Sequence, residues 1–263
     1  MPTRRVFKLF FEFLNHQLIA KNEHGLHSPF LFNLYTQALN APKRYYAFDE
    51  IDALRAKLLS NHKKIEVTDF GAGSRKMLGS ERTIAGITKN SAISTRQGEL
   101  LFRLVNFLQP TTGIELGTSL GLGTLYMQLG SKQMELLTFE GCPNTIQIAE
   151  SHFKKFNISP KVVLGNIDET LPLVLQKSKA IDFVYIDANH NYQSTINYFN
   201  KILPLLHENS VVILDDIRWS EEMKKSWEEI IHFKEVTISL DFFSFGILFF
   251  REKQPKQNFK LKL

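Results

Sequence analysis

The chain has 263 residues, 43% hydrophobic and 22% charged, with a formal net charge of +5 and a pI near 9.1. These values suit a globular protein with a substantial core and exclude wholesale disorder. The single cysteine, Cys142, excludes an internal disulfide and a cysteine-rich zinc site and fits a reducing, cytoplasmic setting. Much of the positive excess sits at the ends, in Arg4-Arg5 and from Arg251 to Lys262, where a solvated basic tail is the plainer reading than a nucleic-acid surface.

From Val6 to Ile19 the apolar positions Val6, Phe7, Leu9, Phe10, Phe13, Leu14 and Leu18 recur at helical spacing. They predict an amphipathic helix that packs on the body or on a partner subunit, so a homodimer is an expectation. Glu12, Asn15, His16 and Gln17 interrupt the run, which excludes a signal peptide or a membrane span, and no membrane partner is expected. Ser28 can cap a helix with Pro29 at its first position and an end near Leu39. His24 and His27 precede it but lack a third ligand at a sensible spacing, so they make no metal site. Another helix is predicted from Asp49 to Ser60. Asp69-Phe70-Gly71-Ala72-Gly73-Ser74-Arg75 has the look of a ligand loop, but no helical apolar run comes after it. It reads as a substrate-side loop or lid, with Arg75 or Arg82 meeting an anion, or as a plain turn. Residues 1–90 thus form a helical extension, 91–251 a second unit and 252–263 a basic tail of uncertain order.

After a helix ending near Leu108, the chain alternates. Strands are predicted at Gly113–Glu115, Leu136–Phe139, Val162–Leu164, Ile181–Ile186 and Val211–Leu214. Helices at Gly121–Leu129, Thr145–Phe156, Leu171–Gln176 and Ser194–Leu206 separate them. Repeated β-α units imply an α/β fold with a doubly wound, mostly parallel sheet and ligands at the carboxyl ends of its strands. A helix from Trp219 to Ile231 and two strands, Glu235–Leu240 and Phe245–Phe250, end the unit as an antiparallel hairpin.

The first of these strands runs into Glu115-Leu116-Gly117-Thr118-Ser119-Leu120-Gly121-Leu122-Gly123. Glycines there permit positive φ and close approach of a ligand, and the helix after them offers unpaired N–H groups. The spacing differs from a dinucleotide fingerprint, and the acid at the strand end suits an ammonium group better than a pyrophosphate. Glu140 closes the next strand, where a carboxylate can accept hydrogen bonds from both ribose hydroxyls. Asn166 comes after the third, either at an adenine edge or as a helix cap. Asp187 and His190 leave the fourth, and Asp215-Asp216 leave the fifth. Acids converging at one rim repel each other unless a cation stands among them, and hard oxygen donors suit Mg²⁺ rather than zinc; a cap and a loop anchor are the plainer alternative.

From Ser91 to Trp219 the sequence resembles the metal-dependent O-methyltransferases of class I, which use S-adenosylmethionine: the catechol and caffeoyl-CoA enzymes and the macrolide sugar O-methyltransferases. The resemblance rests on the approach from Ser94 to Gly98, the Glu115–Gly123 loop, Glu140, Asp187 with His190, and Asp215-Asp216 with Trp219. It implies a seven-stranded Rossmann-like sheet with a reversed edge strand. It also implies S-adenosylmethionine held by Ser94, Glu115, Gly117, Thr118, Ser119, Gly121, Gly123, Glu140, Asn166 and Asp187, and a divalent metal on Asp187, Asp215 and Asp216. His190 is then the base, with Trp219 beside a small-molecule hydroxyl acceptor. Two departures are visible: Asp216 stands where the plant enzymes carry Asn, and His190 where they carry Lys. The alternatives are an RNA methyltransferase, which the absence of an Asp/Asn-Pro-Pro-aromatic segment after the fourth strand disfavours, and a non-catalytic protein that binds S-adenosylmethionine.

Overall fold

Short runs that are apolar on both sides, such as Phe183–Ile186 and Val211–Leu214, are satisfied only between two helical layers, and the fold places them there. The computed structural model describes residues 2–22, 25–26, 28–41, 43–68 and 80–262. The Asp69–Ser74 loop, Arg75, His24 and His27 lie outside the described residues.

The extension comprises α1 (Pro2–Ile19), α2 (Pro29–Leu34) continuing into a π-helical turn at Tyr35–Leu39, and α3 (Tyr46–Leu59). Then come β1 (Lys64–Val67) and β2 (Ser80–Thr83), paired antiparallel as a separate two-stranded sheet, and after them α4 (Ile84–Ser91) and α5 (Thr95–Leu108). Ser28 stands at the start of α2 as expected, with Pro29 next to it, but its side chain makes no capping hydrogen bond. Leu31, Leu34, Phe48 and Ile51 join the same buried cluster as Leu101 and Leu104 of α5, so the extension and the α/β unit share one core.

Next come β3 (Thr112–Leu116), α6 (Leu122–Gly130), β4 (Glu135–Glu140), α7 (Pro143–Lys155), β5 (Lys161–Leu164), α8 (Ile167–Leu175), β6 (Phe183–Ile186) and α9 (Tyr192–Ile202). The chain closes with β7 (Val211–Leu214), α10 (Glu221–Ile230), β8 (Ile238–Asp241), β9 (Gly246–Phe249) and β10 (Gln257–Lys260). The sheet order is β10-β8-β9-β7-β6-β3-β4-β5. All neighbours from β7 to β5 run parallel, while β9 runs antiparallel to β7 and β8. Side chains alternate as strand geometry requires. Phe183 and Tyr185 join the core on the α5 and α6 side, while Val184 and Ile186 join the opposite one with α9 and α10.

The sheet has eight strands rather than seven, and the eighth comes from the basic tail. β10 pairs parallel with β8, and its far edge is fixed by Lys21, whose N–H donates to Lys260 O at 2.8 Å and whose carbonyl accepts from Lys262 N at 3.1 Å. The ordered tail therefore ties the end of the chain to the end of α1.

Candidate functional site

The order of winding reverses between β3 and β6, the place where an open α/β sheet leaves a crevice beyond its strand ends. A cavity of about 550 Å³ opens there, lined among others by Ser94, Gln97, Gly117, Ser119, Glu140 and Asp187. His190, Asp215, Asp216 and Trp219 complete its other side. At its floor the β3 and β6 ends nearly touch. Gly117 has φ +102°, and a Cβ on it would stand 2.1 Å from the Asp187 carbonyl oxygen, so no other residue fits.

One half of the crevice is saturated with hydrogen bonds. Gly117 N and Thr118 N both donate to Phe139 O at 3.0 Å, which fastens the loop to β4. Ser119, with φ +49°, turns its N–H onto Glu140 Oε2 at 2.7 Å, and Cys142 N donates to Oε1 at 2.9 Å. Burial raises the Glu140 pKa, and these backbone donors oppose the rise. A carboxylate oxygen has two lone pairs, so Glu140 can also accept from a ligand hydroxyl. Ser94 caps α5 by accepting from Gln97 N at 3.3 Å.

Several predicted cofactor residues serve the cradle from behind instead of lining it. Glu115 lies fully buried under the loop, where Thr124 and Thr138 donate to its Oε2 at 2.5 and 2.6 Å. Its Oε1 has no hydrogen-bond partner among the described residues and faces Gly123, where a Cβ would come within 2.8 Å of it. Burial pushes the Glu115 pKa up to about 7 against the pull of the two threonines. Glu115 thus makes internal contacts and does not line the crevice. The Thr118 hydroxyl stands 2.5 Å from that of Thr138, also away from the crevice. Gly121, with φ +80°, makes room for Phe153, and Asn166 caps α8 by accepting from Asp168 N at 3.1 Å, the plainer of its two expected roles.

The other half is crowded with negative charge. Tyr185 and Asp187 point to the same side of β6, as residues two apart on a strand do, and Asp215 extends β7 on that side. The Tyr185 hydroxyl donates to Asp215 Oδ2 at 2.5 Å and stands 3.4 Å from Asp187 Oδ2. Asp215 Oδ1 accepts from Gln97 Nε2 at 2.7 Å and from Asp216 N at 2.8 Å. His190 stands between the remaining acids, with Nε2 3.4 Å from Asp187 Oδ1 and Nδ1 3.8 Å from Asp216 Oδ2. Burial, then repulsion from Asp215, Asp216 and Glu115, drives the Asp187 pKa well above the usual carboxylate range. Asp216, at φ +54°, is pushed up to about 7 by burial and by Asp215. Trp219 is 59% exposed at the crevice mouth.

Sequence reasoning missed Gln97 and Tyr185. The only signal was positional: Gln97 lies in the first turn after Ser94, and Tyr185 two residues before Asp187.

In charge and ligand hardness this half suits a cation, with Asp187 and Asp216 as donors. Three donors are not assembled, however. Among the described residues no group of three His, Cys, Asp or Glu is arranged to hold a metal ion. Asp215, the third expected ligand, is engaged instead by Tyr185, Gln97 and a backbone N–H.

The strand order, the glycine loop and the acid at the end of β4 define the Rossmann-like methyltransferase fold. Residues 114–217 match the family model described as a methyltransferase domain. Over those residues the chain is similar to methyltransferase domains. Catechol O-methyltransferases of Mycobacterium tuberculosis and Niastella koreensis are each 26% identical to it, the first over 129 and the second over 130 residues. Each alignment covers 48% of this chain, and 57% and 58% of the respective relatives, so the chain spans less than three-fifths of their length. Among solved structures, an SAH-bound methyltransferase of Podospora anserina superposes with a TM-score of 0.60 at 16% identity, covering 81% of this chain and 92% of that one. An O-methyltransferase of Bacillus cereus in complex with SAH gives 0.56 at 19% identity, covering 80% and 93%.

Proposed function

We propose that the protein transfers the methyl group of S-adenosylmethionine to a hydroxyl of a small molecule. The reading is carried by one observation: the Ser119–Glu140 cradle and the Asp187–His190–Asp216 cluster open into the same crevice. Glu140 receives the ribose hydroxyls, and the Gly117–Ser119 turn supports the rest of the cofactor. The acceptor enters past Trp219. His190 takes the proton of its hydroxyl on a ring nitrogen, and the two flanking carboxylates stabilise the imidazolium that forms. The oxygen attacks the methyl carbon, the carbon–sulfur bond breaks, and its electron pair stays on sulfur to leave S-adenosylhomocysteine. Holding the two reactants in line supplies on the order of 7–11 kcal/mol of the barrier.

A hard divalent cation such as Mg²⁺ belongs to the same proposal. Asp187 and Asp216 would hold it in place of the imidazolium, and it would lower the pKa of the acceptor hydroxyl. Transfer of labelled methyl from S-adenosylmethionine to a panel of catechols, phenols and sugars, with and without chelator, tests both parts. Expected are labelled ether products and their loss in chelator and in Asp187→Asn. Full turnover in excess chelator removes the metal, and a folded protein that does not bind S-adenosylhomocysteine removes the whole reading.

A further inference from the structure

Helix α1 is built inside out. Its polar residues face the body: Arg5 donates to the Trp219 carbonyl, Lys8 Nζ stands 2.7 Å from Glu221 and Glu12 2.9 Å from Lys224 Nζ. His16, buried, lies 3.2 Å from Asp241. Its apolar residues face outward. Val6, Phe7, Phe10, Phe11, Leu14 and Leu18 recur at helical spacing and stay 41–83% exposed. The buried His16–Asp241 contact and the packing of Phe13 on Phe243 hold that orientation. A contiguous apolar face on a helix about 27 Å long is a contact surface in a folded protein.

What covers it is indicated by the surrounding charge. At the carboxyl end of α1, Lys21, Lys260 and Lys262 are exposed, held together by the backbone pairing of Lys21 with β10. None of these three has an ion-pair partner among the described residues. The amino end carries Arg4 and Arg5 in sequence. Cations thus stand at the carboxyl end of the stripe, while Arg5 at the other end is turned to the Trp219 carbonyl. Two copies pairing their α1 helices in parallel would bring these lysines together, whereas an anionic lipid surface complements them. No helix among the described residues is long and apolar enough to cross a membrane, so the contact is with the surface.

We propose that α1 lies in the headgroup layer of an anionic membrane, with its Phe and Leu side chains inserted and the lysines of its carboxyl end on the lipid phosphates. This revises the expectation of no membrane partner, which rested only on the lack of a spanning segment. It does not depend on the methyltransferase reading, because the probe is a vesicle and the readout is binding.

The test is cosedimentation of the full chain with vesicles of phosphatidylcholine alone and of phosphatidylcholine with phosphatidylglycerol. A triple variant, Phe7→Gln/Phe10→Gln/Leu18→Gln, serves as the comparison, with oligomeric state measured in parallel. Its fold is verified by far-UV circular dichroism. Expected is binding to the anionic vesicles, weakened about tenfold or more by high salt and by the triple substitution. A Lys21→Glu/Lys262→Glu variant should lose the anionic preference while keeping its fold. Absence of vesicle binding overturns the proposal, as does binding unchanged in the triple variant. A dimer that dissociates in the triple variant, with no vesicle binding by the parent chain, assigns the face to a second copy and likewise overturns it.

Discussion

The two halves of the crevice are made of the same material, acids at strand ends, and behave in opposite ways. Glu140 has a backbone N–H on each oxygen, and Glu115 beneath it is locked by two threonines. Asp187 and Asp216 face each other across a histidine with their pKa values raised. A carboxylate whose donors are built in makes a preformed cradle. Carboxylates crowded together, like Asp187 and Asp216 on either side of His190, favour a proton or a positive charge among them. On the proposed function, the half around Glu140 is the preformed cofactor side, and the half around Asp187 and Asp216 is the acceptor side.

The contrast can be broken most severely at the hinge between the halves. Gly117→Val forces a Cβ into the Asp187 carbonyl at a φ that only glycine adopts easily, and should abolish S-adenosylhomocysteine binding and lower the melting temperature sharply. Wild-type affinity in this variant would mean that the loop does not form the cradle. On the acceptor side alone, His190→Gln should reduce kcat by about 10²–10⁴-fold while leaving S-adenosylhomocysteine affinity unchanged. An equal loss of both would show that the halves are not separable.

Glu115 sharpens the contrast through pH. Its folded pKa of about 7 exceeds its ordinary value near 4.5, so the folded state holds the proton more tightly than the unfolded one. The stability linked to Glu115 is complete below about pH 4.5 and is lost as pH rises through about 7, a change on the order of 3 kcal/mol. Urea unfolding at pH 5 and pH 8 should show Glu115→Gln losing less stability between them than the parent chain; identical losses would place the carboxylate in water. The smallest effect is expected at Ser94→Ala, about 1 kcal/mol from the lost cap of α5, read as a shift in denaturant midpoint.

The parallel strands were legible because runs such as Val211–Leu214 are apolar on both faces and end in an acid. β1, β2 and β10 were not, because strands such as Lys64–Val67 and Gln257–Lys260 carry too few apolar residues to show alternation, and their pairing is decided by distant partners. Which acids line the crevice was only partly legible. Glu140 closes β4 while Glu115 lies one residue inside β3, and the direction of each is set by where Thr124, Thr138 and the backbone of Ser119 stand. Asp215 read as a metal ligand for the same reason, since nothing local reveals that Tyr185 and Gln97 reach it.

The most direct measurement is a calorimetric titration of S-adenosylhomocysteine into the parent chain and into Asp216→Asn, each with and without Mg²⁺. A cradle finished before the acceptor side is filled should bind the ligand without metal, with affinities in all four titrations within about twofold of one another. No binding by the folded protein, or affinity that appears only with Mg²⁺ and vanishes in Asp216→Asn, would contradict the division of the crevice into a finished half and a waiting one.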